Sequence, residues 1–590
     1  MTRERYLNNI IKPAAITALA FLLRLVYLLQ LHTTPLWGFA APDTLEHHSF
    51  ALKILSGNLF FRESSLMNPV YPFFIAGVYL AGKQELFAVL LTQAVLDSLT
   101  CLFLYYITVR ISQSGKTGLL AAGFWACYLP AIFFTGFLLD ATIGVFCSLV
   151  FLLLVMRAEE HNKTSLWLFS GLALGVSLAL KATLLLFVPV VLVRELRRKN
   201  HKAVLCVISG AFLILTPFSI RNYLVHNTFS PWPLNGGINF FIGNNPSANG
   251  SYLSLQNIPD APIGQSSAAL LRAEEESGRK FTMASSNRYW FKQGISFIKT
   301  RPLEAAALLL RKMRLFWYHR EIPGNVNIYF SKPLVPLLNW PLLTFGMLAP
   351  LSILGIYTAC RRHNSGTRLC LAFLLSSLVS VVVFFISSRH RLSAVPLLCC
   401  FAALAGQSLF NRANRTPPFL RSCALVLTAG IILVFFPLRE MNPRSVFWVS
   451  HVNIGNRLIE QGDYAQAAGH YQKAASLSPS TPSVQFQLAN AYFLMDRFDD
   501  AERVYQRALE LNPDYVAAHF NLALYYHFHK KDRRRALYHY LLAVSKGLPP
   551  QADFENDLFT DPPPSAAAPL AHDHKGGDHP EDDHGLSDRQ

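Results

Sequence analysis

Long apolar runs separated by short polar stretches dominate the first 440 residues of the chain. AAITALAFLLRLVYLLQL (14–31) and LAFLLSSLVSVVVFFI (371–386) are two examples. Runs of about 18 to 20 apolar residues are long enough to cross a bilayer as helices. We predict eleven spans, at 14–31, 85–109, 118–136, 139–156, 165–181, 183–194, 203–220, 337–358, 368–386, 393–410 and 421–437. The apolar segment 70–82 is too short to span, so we expect it to be a juxtamembrane or re-entrant piece.

The polar stretches between the predicted spans give an orientation. With the N-terminus in the cytoplasm, every loop that falls inside carries at least two Lys or Arg residues, as in RELRRKNHK and ACRRHNSGTR. This distribution follows the positive-inside rule. Outside the membrane it leaves a first loop at 32–84, a large loop at 221–336 and everything after about residue 438.

The pattern changes after residue 438 to a repeat of 34 residues. Ile454–Gly455 corresponds to Leu488–Ala489 and Leu522–Ala523, and Tyr471 corresponds to Tyr505. In a third copy, Tyr540 and Ala543 stand one residue beyond the positions that a spacing of 34 residues predicts. This is the tetratricopeptide pattern, in which paired helices stack into a solenoid with a concave binding face. A spacer or assembly platform is the alternative role.

These patterns divide the chain into three parts. We predict a membrane domain over 1–437, a repeat domain over 438–549 and a disordered tail over 550–590. The tail is acidic and rich in histidine, with too few apolar groups to bury a core.

Composition agrees with a polytopic membrane protein. The chain has 590 residues, of which 52% are hydrophobic and only 15% charged, and its mean hydropathy is +0.28. Soluble domains carry about 25% charged residues. The net charge of +17 fits cytoplasmic loops and lipid headgroups, and we expect no nucleic-acid partner.

The first polar stretch, APDTLEHHSFALKILSGN (41–58), carries two acids and two histidines. Pro42 and Asp43 suit the first turn of a helix, where a carboxylate caps free backbone N–H groups. Asp43, Glu46 and His47 then share one face. A helix cap, a catalytic base and a metal site all fit this pattern. A metal site needs three or four convergent ligands, and one helix supplies few.

Three later positions carry charge at the predicted outer ends of spans. Asp140, in FFTGFLLDATIGVF, is a candidate functional residue because ionisable groups are costly there. Lys181, in LALKATLLLFVP, lies at the same level, and a snorkelling lysine is its alternative interpretation. FFISSRHRLSAVP (384–396) places Arg389 and Arg391 outside, against the positive-inside bias, and arginine forks suit phosphate.

The order of these features resembles the GT-C superfamily of polytopic glycosyltransferases, close to its protein O-mannosyltransferase and aminoarabinose-transferase branch. The segments that carry the resemblance are FLLRLVYL (21–28), PDTLEHHSFALKILSGN, NPVYPFFIAGVYLAGK (68–83), LLDA (138–141), GLALGVSLALKATLLLFVP (171–189), PFSIRNYLVHNTFSPWPLNGGINFFIGNNPSANG, residues 314–321 and FFISSRHRLSAVP. Together they cover about residues 10–410. The expected fold is an all-α GT-C-type transmembrane bundle of about eleven spans with extracytoplasmic loops, followed by the tetratricopeptide α-solenoid.

The resemblance also implies an activity. A polyisoprenyl-phosphate sugar would donate its sugar to a protein, lipid or glycan hydroxyl outside a bacterial inner membrane. Phosphate leaves without being protonated, so one carboxylate suffices as a base, whereas glycoside hydrolysis uses two. The implied roles are Asp43 as the inverting base, Glu46, His47, Tyr71 and Asp140 around acceptor and donor, and Lys181, Arg389 and Arg391 on the lipid phosphate. No cofactor is needed; a divalent metal held by Asp43 with Asp140 or Glu46 is the second choice.

Two other classes of function compete with a transferase. A membrane anchor that presents the repeats to an envelope complex explains neither the many spans nor Asp43. A transporter of a lipid-linked sugar would have broken helices or repeated halves, which the sequence does not display. We therefore expect the repeats to recruit an acceptor or protein partner for an enzyme.

Overall fold

The computed structural model describes residues 3–38, 42–59, 70–82, 84–253, 255, 258, 262–324, 326–361, 364–411, 416–438 and 446–559. It divides the chain into two compact units, Met1–Arg444 and Ser445–Gln590. The described residues are helical apart from loops, turns and two isolated β-bridges, which confirms the all-α class.

The first unit begins with helices that hold most of the long apolar runs. They are α1 (Arg3–His32), α2 (Pro42–Leu55), α3 (Val70–Gly82), α4 (Leu86–Ser112), α5 (Gly115–Ala126), α6 (Leu129–Phe134), α7 (Ala141–His161), α8 (Thr164–Leu180), α9 (Val188–Arg197) and α10 (His201–His226). A more polar group follows: α11 (Gly236–Gly243), α12 (Pro262–Ser277), α13 (Met283–Thr300), α14 (Pro302–Trp317) and α15 (Ile328–Ser331). The unit closes with α16 (Phe345–Cys360), α17 (Ser365–Val382), α18 (Ser388–Arg391), α19 (Val395–Phe410) and α20 (Pro417–Phe435).

Six of the described helices are long and apolar enough to cross a membrane: α1 from Ile10, α4, α7, α10, α17 and α20. Helices α3, α8, α16 and α19 are apolar but shorter. The multi-pass membrane class follows from this pattern. The predicted span 183–194 is divided between a short 3-10 turn and the ten-residue α9. In the predicted span 337–358, the apolar α-helix begins only at Phe345.

The predicted single span 118–136 is wrong, because the structure breaks it into α5 and α6. Tyr128 is extended between the two helices and forms an isolated bridge with Leu343. The Leu129 N–H donates to Leu343 O at 2.9 Å, and the Leu343 N–H donates to Cys127 O at 3.0 Å. Pro130 lies in the first turn of α6, where its missing N–H costs nothing. Contacts far along the chain therefore end the helix although the apolar run continues.

A buried ion pair joins α1, α4 and α5. Arg24 and Asp97 are both almost fully buried, and their side chains pair at 2.5 Å. Arg24 also donates to the carbonyl oxygens of Ala126 and Trp125. The Trp125 indole donates to Asp97 O at 3.2 Å. A charge pair inside an apolar bundle needs such partners, so it fixes how these helices pack.

The region between α10 and α16 packs closely against the chain that follows α17 and forms hydrogen bonds with it. Gly243 approaches Phe384 so closely that a Cβ would lie 2.1 Å from the Phe384 carbonyl oxygen, which only glycine permits. Asn244 donates to Val383 O at 2.9 Å, and the Ile386 N–H donates to Gly250 O at 2.9 Å. These contacts fix the approach to α18.

The second unit is a helical solenoid. Its helices are α21 (Phe447–Glu460), α22 (Tyr464–Leu477), α23 (Pro482–Leu494), α24 (Phe498–Leu511), α25 (Val516–Phe528), α26 (Arg533–Ser545) and α27 (Ala552–Phe559). The three repeated tyrosines are buried, and Tyr471 and Tyr505 donate to Asn456 and Asn490. These pairs recur 34 residues apart, as the repeat requires.

The predicted disordered tail begins with structure instead. Helix α27 buries Phe554 and Leu558, which follow i, i+4 spacing and pack in the same cluster as Tyr540. A terminal helix of this kind covers the end that a further repeat would cover. The sequence analysis did not predict this helix because two apolar residues that become buried, within an acidic segment, are too few to show helical periodicity. Residues 560–590 lie outside the described residues.

Candidate active site

An arginine bridges two carboxylates that are distant along the chain. Arg389, in α18, donates from Nη1 to Asp43 Oδ2 at 2.5 Å and from Nη2 to Asp140 Oδ1 at 3.1 Å. Both carboxylates are buried, with Asp43 at 6% and Asp140 at 8% exposed. The structure therefore brings together three of the residues that the sequence selects, from three separate segments.

Asp43 owes its place to the start of α2. It stands in the first turn of Pro42–Leu55, where the positive end of the helix favours a carboxylate. Its side chain forms an ion pair with Arg389.

Asp140 stands immediately before α7. Its side chain makes no capping bond to that helix and is used by Arg389, while its carbonyl oxygen accepts from the Gly144 N–H at 2.8 Å. Burial would raise the pKa of Asp140, but the charges of Lys181 and Arg389 outweigh burial and lower its pKa to about 2. Asp140 is thus held as an anion.

Lys181 joins this cluster from the end of α8. Its backbone is extended between α8 and the short 3-10 turn Ala182–Leu184, because the helix ends there. Burial lowers the pKa of Lys181 to about 8, against the raising effect of Asp140 and Asp43. The cluster therefore holds two acidic and two basic side chains.

A second layer supports the carboxylates. His47 lies one turn after Asp43, is buried, and packs edge-on against the Tyr71 ring with centroids 4.7 Å apart. Tyr71 donates to Gln93 at 2.5 Å, and Gln93 donates to Phe137 O at 3.0 Å. This chain of contacts links α2, α3 and α4 to the segment that leads to Asp140.

His47 is neutral at physiological pH. Burial lowers its pKa to about 4, although Asp43 and Asp140 act in the opposite direction. Within the described part of the chain, no group forms a hydrogen bond with its Nδ1. Glu46 is partly buried on the same helix. His48 lies on another side, 2.8 Å from the Tyr79 hydroxyl.

Arg391 has a different environment from Arg389. Its two terminal nitrogens donate to Phe316 O, Tyr318 O, Arg320 O and a Glu321 carboxylate oxygen. Its guanidinium lies 3.7 Å from the centroid of the Phe345 ring, and the residue is 1% exposed. The Arg389 side chain is 21% exposed and lines the pocket described below, whereas Arg391 does not line it. We therefore place Arg391 outside the set of residues that the sequence assigned to phosphate.

His390 is a member of the cluster that the sequence analysis missed. It is hydrogen-bonded to Ser387 at 3.0 Å. Burial, Lys181 and Arg389 together hold its pKa well below the ordinary histidine value. The signal in the sequence was its position inside the basic stretch SSRHR. The sequence analysis considered only the two neighbouring arginines as phosphate ligands and assigned no role to the histidine.

A pocket opens beside Lys181 and Arg389. Its walls come from the start of α7, the turn after α8, and helices α17 and α18. The lining residues are Ala141, Gly144, Val145, Ser148, Lys181, Thr183, Leu184, Phe373, Ser377, Arg389 and Ser393. Two cationic groups and several hydroxyls beside an apolar wall give this pocket the chemistry that favours an anionic group.

A metal ion fits this arrangement less well. A cation held by Asp43 and Asp140 would have to displace the guanidinium that joins them. Across the described ranges, no group of three or more His, Cys, Asp or Glu side chains is placed to hold a metal.

Comparison with known families adds to this geometry. Residues 67–221 match the family model for dolichyl-phosphate-mannose-protein mannosyltransferases. This confirms the resemblance to GT-C glycosyltransferases. The matched range contains Tyr71, Asp140 and Lys181, but neither Asp43 nor Arg389.

The repeats are confirmed in the same way, since residues 458–524 match a tetratricopeptide repeat model. The chain is 34% identical over 101 residues to TPR repeat-containing thioredoxin TTL4 of Arabidopsis thaliana. It is 35% identical over 72 residues to the tetratricopeptide repeat and J domain-containing co-chaperone DNJ1 of Cryptococcus neoformans var. grubii. The matches cover 17% and 12% of this chain, and 14% of each relative.

Proposed function

We propose that the protein transfers a sugar from a polyisoprenyl-phosphate carrier to an acceptor hydroxyl, with inversion at the anomeric carbon. The observation that carries this proposal is the Arg389 bridge between Asp43 and Asp140, beside Lys181 and a pocket with an apolar wall. The family match and the apolar helices support a membrane glycosyltransferase.

The charge balance of the reaction explains why an arginine lies between the acids. The anomeric C–O bond to phosphate breaks with its electron pair going to the phosphate, while a new C–O bond forms to the acceptor oxygen. The acceptor proton goes to Asp43. Negative charge thus moves from Asp43 to the departing lipid phosphate, and Arg389 next to Asp43 stabilises that charge at both positions.

We assign the role of base to Asp43 and a positioning role to Asp140. The pKa of Asp140 is lowered to about 2, so it takes a proton poorly near neutral pH. In this proposal Asp140 holds Arg389 and Lys181 in place, and these two cations bind the phosphate. Arg391 keeps the chain near α18 in position and does not touch the donor.

The acceptor would enter beside His47, Tyr71 and Glu46. A neutral His47, whose buried Nδ1 has no hydrogen-bond partner among the described residues, would offer one to a hydroxyl that reaches it one helical turn from Asp43. We place this reaction on the outer face of a bacterial inner membrane, with the N-terminus in the cytoplasm. The tetratricopeptide repeats would then bind the acceptor or a protein partner on the same side.

The donor class can be tested directly. Purified full-length protein in liposomes is given either a polyisoprenyl-phosphate sugar or the matching nucleotide sugar, and release of lipid phosphate and the anomeric configuration of the product are measured. We expect transfer from the lipid donor alone, with inversion and without added metal. Transfer from the nucleotide sugar, or no transfer from any lipid-linked sugar while the repeats still assemble with a partner, would contradict the proposal.

A further inference from the structure

Helix α14 exposes an apolar stripe along its whole length. Leu303 is 85% exposed, Leu310 is 67% exposed and Met313 is 43% exposed, and their spacing places them on one face. Ala306 and Ala307 continue the stripe between them. The opposite side of the helix is buried through Leu308, Lys312, Leu315 and Phe316.

An exposed apolar stripe of this length indicates that a lipid phase or another molecule covers it. Single exposed leucines are ordinary on protein surfaces, but a contiguous apolar row marks a surface that another phase or molecule covers. A bilayer, a second copy of the chain and another protein are the three candidates. The position of the helix and its charge decide among them.

Contacts at the C-terminal end of α14 place it beside the end of a membrane-spanning helix. Arg314 donates to Pro437 O at 2.9 Å, just past the end of α20, and its guanidinium lies 4.5 Å from the Phe436 ring centroid. The His319 N–H donates to Val434 O at 3.1 Å. Helix α20 is the least buried of the six candidate spans, which leaves most of its apolar surface available to lipid. The C-terminal end of the apolar stripe on α14 therefore lies beside the C-terminal end of α20.

The charge of this region fits the surface of a bilayer. Residues 283–317, which form α13 and α14, contain seven Lys and Arg residues and a single acid, Glu304. A helix with an apolar stripe, basic flanks and a terminal Trp is typical of helices that lie in the headgroup region. Anionic headgroups also account for a basic segment that the positive-inside rule would not place outside the cytoplasm.

We propose that α14 lies flat on the bilayer, with Leu303, Leu310 and Met313 inserted at the boundary between the headgroups and the acyl chains. The same helix reaches the candidate site through Arg391, whose guanidinium takes Phe316 O and Tyr318 O as acceptors two residues from Arg389. The lipid surface and the arginine of the site are thus joined by one short segment. This proposal does not depend on the sugar-transfer activity.

Photo-crosslinking tests this placement. Benzoylphenylalanine is introduced at position 310 of the full-length protein, which is placed in nanodiscs of phosphatidylethanolamine and phosphatidylglycerol and illuminated. The adducts are identified by mass spectrometry. The matched control carries the same group at Leu541 of α26, a leucine that is 53% exposed in the repeat unit. Position 303 serves as a second probe that removes no buried contact.

We expect phospholipid adducts at 310 and 303, with about tenfold more lipid at 310 than at 541. Crosslinks from 310 to a second copy of the chain or to another protein would overturn the proposal. Labelling of 310 and 303 at the level of 541, in protein that elutes as a folded species, would overturn it as well.

Discussion

At the scale of single residues, the site depends on one guanidinium shared by two carboxylates. Without it, Asp43 and Asp140 would be two buried like charges, which strongly disfavours ionisation of at least one of them. A lysine offers a single point charge and cannot bond both acids with the fork geometry of arginine. The identity of residue 389 therefore matters more than its charge.

Arg389→Lys tests this distinction. We expect the rate of sugar transfer to fall about 100-fold, because one preorganised donor to the developing charge is lost. The rate is measured with a lipid-linked donor in liposomes. Arg301→Lys, a change at an exposed arginine outside the site, is the matched control and should leave the rate unchanged. Equal rates for Arg389→Lys and the unaltered protein would show that the fork is not needed.

Lys181 gives the donor step a pH dependence. Its pKa is lowered to about 8, so the cation is present below that pH and is lost as the pH rises through it. The phosphodiester of the donor does not titrate in this range. We expect kcat/KM for the donor to decline above about pH 8. In Lys181→Arg the decline should move to higher pH, since arginine stays charged; a decline that stays at the same pH would assign it to another group.

The sequence could select Asp43, Asp140, Lys181 and Arg389, because charged residues stand out beside apolar spans. It could not distinguish Arg389 from Arg391. The acceptors of Arg391 are three backbone carbonyl oxygens and Glu321, and backbone acceptors leave no trace in residue types. His390 was missed for a related reason, since its burial arises from the packing around α18.

At the scale of elements, hydrophobic periodicity predicts where helices exist better than where they end. The long spans α4, α7 and α17 lie close to their predicted ranges. The break between α5 and α6 depends on Leu343, more than 200 residues away, and periodicity carries no such information. Helix α27 shows the opposite case, in which two buried apolar residues stabilise a helix inside an acidic segment.

Two histidine pairs give the repeat unit a pH-dependent stability. His451 and His470 are hydrogen-bonded at 3.1 Å between Nδ1 atoms, and His519 and His539 at 2.9 Å. Burial and the neighbouring histidine lower the pKa of His451 and of His539 to about 4. In the unfolded chain these residues bind protons near the ordinary value of about 6.5. The stabilising contribution is therefore present above about pH 6.5 and is lost as the pH falls toward 4.

This loss can be measured as protease resistance of the repeat region in the full-length protein. We expect resistance to fall between pH 7 and pH 5, by an amount on the order of 1 kcal/mol because three of these four side chains are partly exposed and screened. The second repeat has Gln485 at the equivalent position, so His451→Gln combined with His519→Gln is the natural comparison. If the double variant keeps the full pH dependence, other groups cause it.

At the scale of the whole molecule, the chain joins a membrane unit that holds the candidate site to a solenoid that holds none of its residues. The ordered series of segments made this layout predictable, because spans and a 34-residue repeat are long-range patterns. The family resemblance led us to expect Asp43, Asp140, Lys181 and Arg391 around one cavity, but it is Arg389 that bonds the two acids.

Deleting residues 446–559 separates the two units functionally. Because the cluster around Arg389 lies entirely in the first unit, we expect transfer to a simple soluble acceptor to persist, while transfer to the natural acceptor or binding of the partner is lost. Both reactions are measured with the same lipid donor. Loss of both reactions in protein that still inserts in the membrane would mean that the solenoid completes the active site.

The most direct measurement is single-turnover transfer by Asp43→Asn, compared with Glu304→Gln, a loss of charge at an exposed acid outside the site. Asparagine keeps the shape of the side chain but cannot take the acceptor proton. We predict that Asp43→Asn inserts normally and still binds the lipid donor, yet transfers sugar at least about 100-fold more slowly. Glu304→Gln should transfer at the normal rate. Transfer by Asp43→Asn at the rate of the unaltered protein would contradict the assignment of Asp43 as the base.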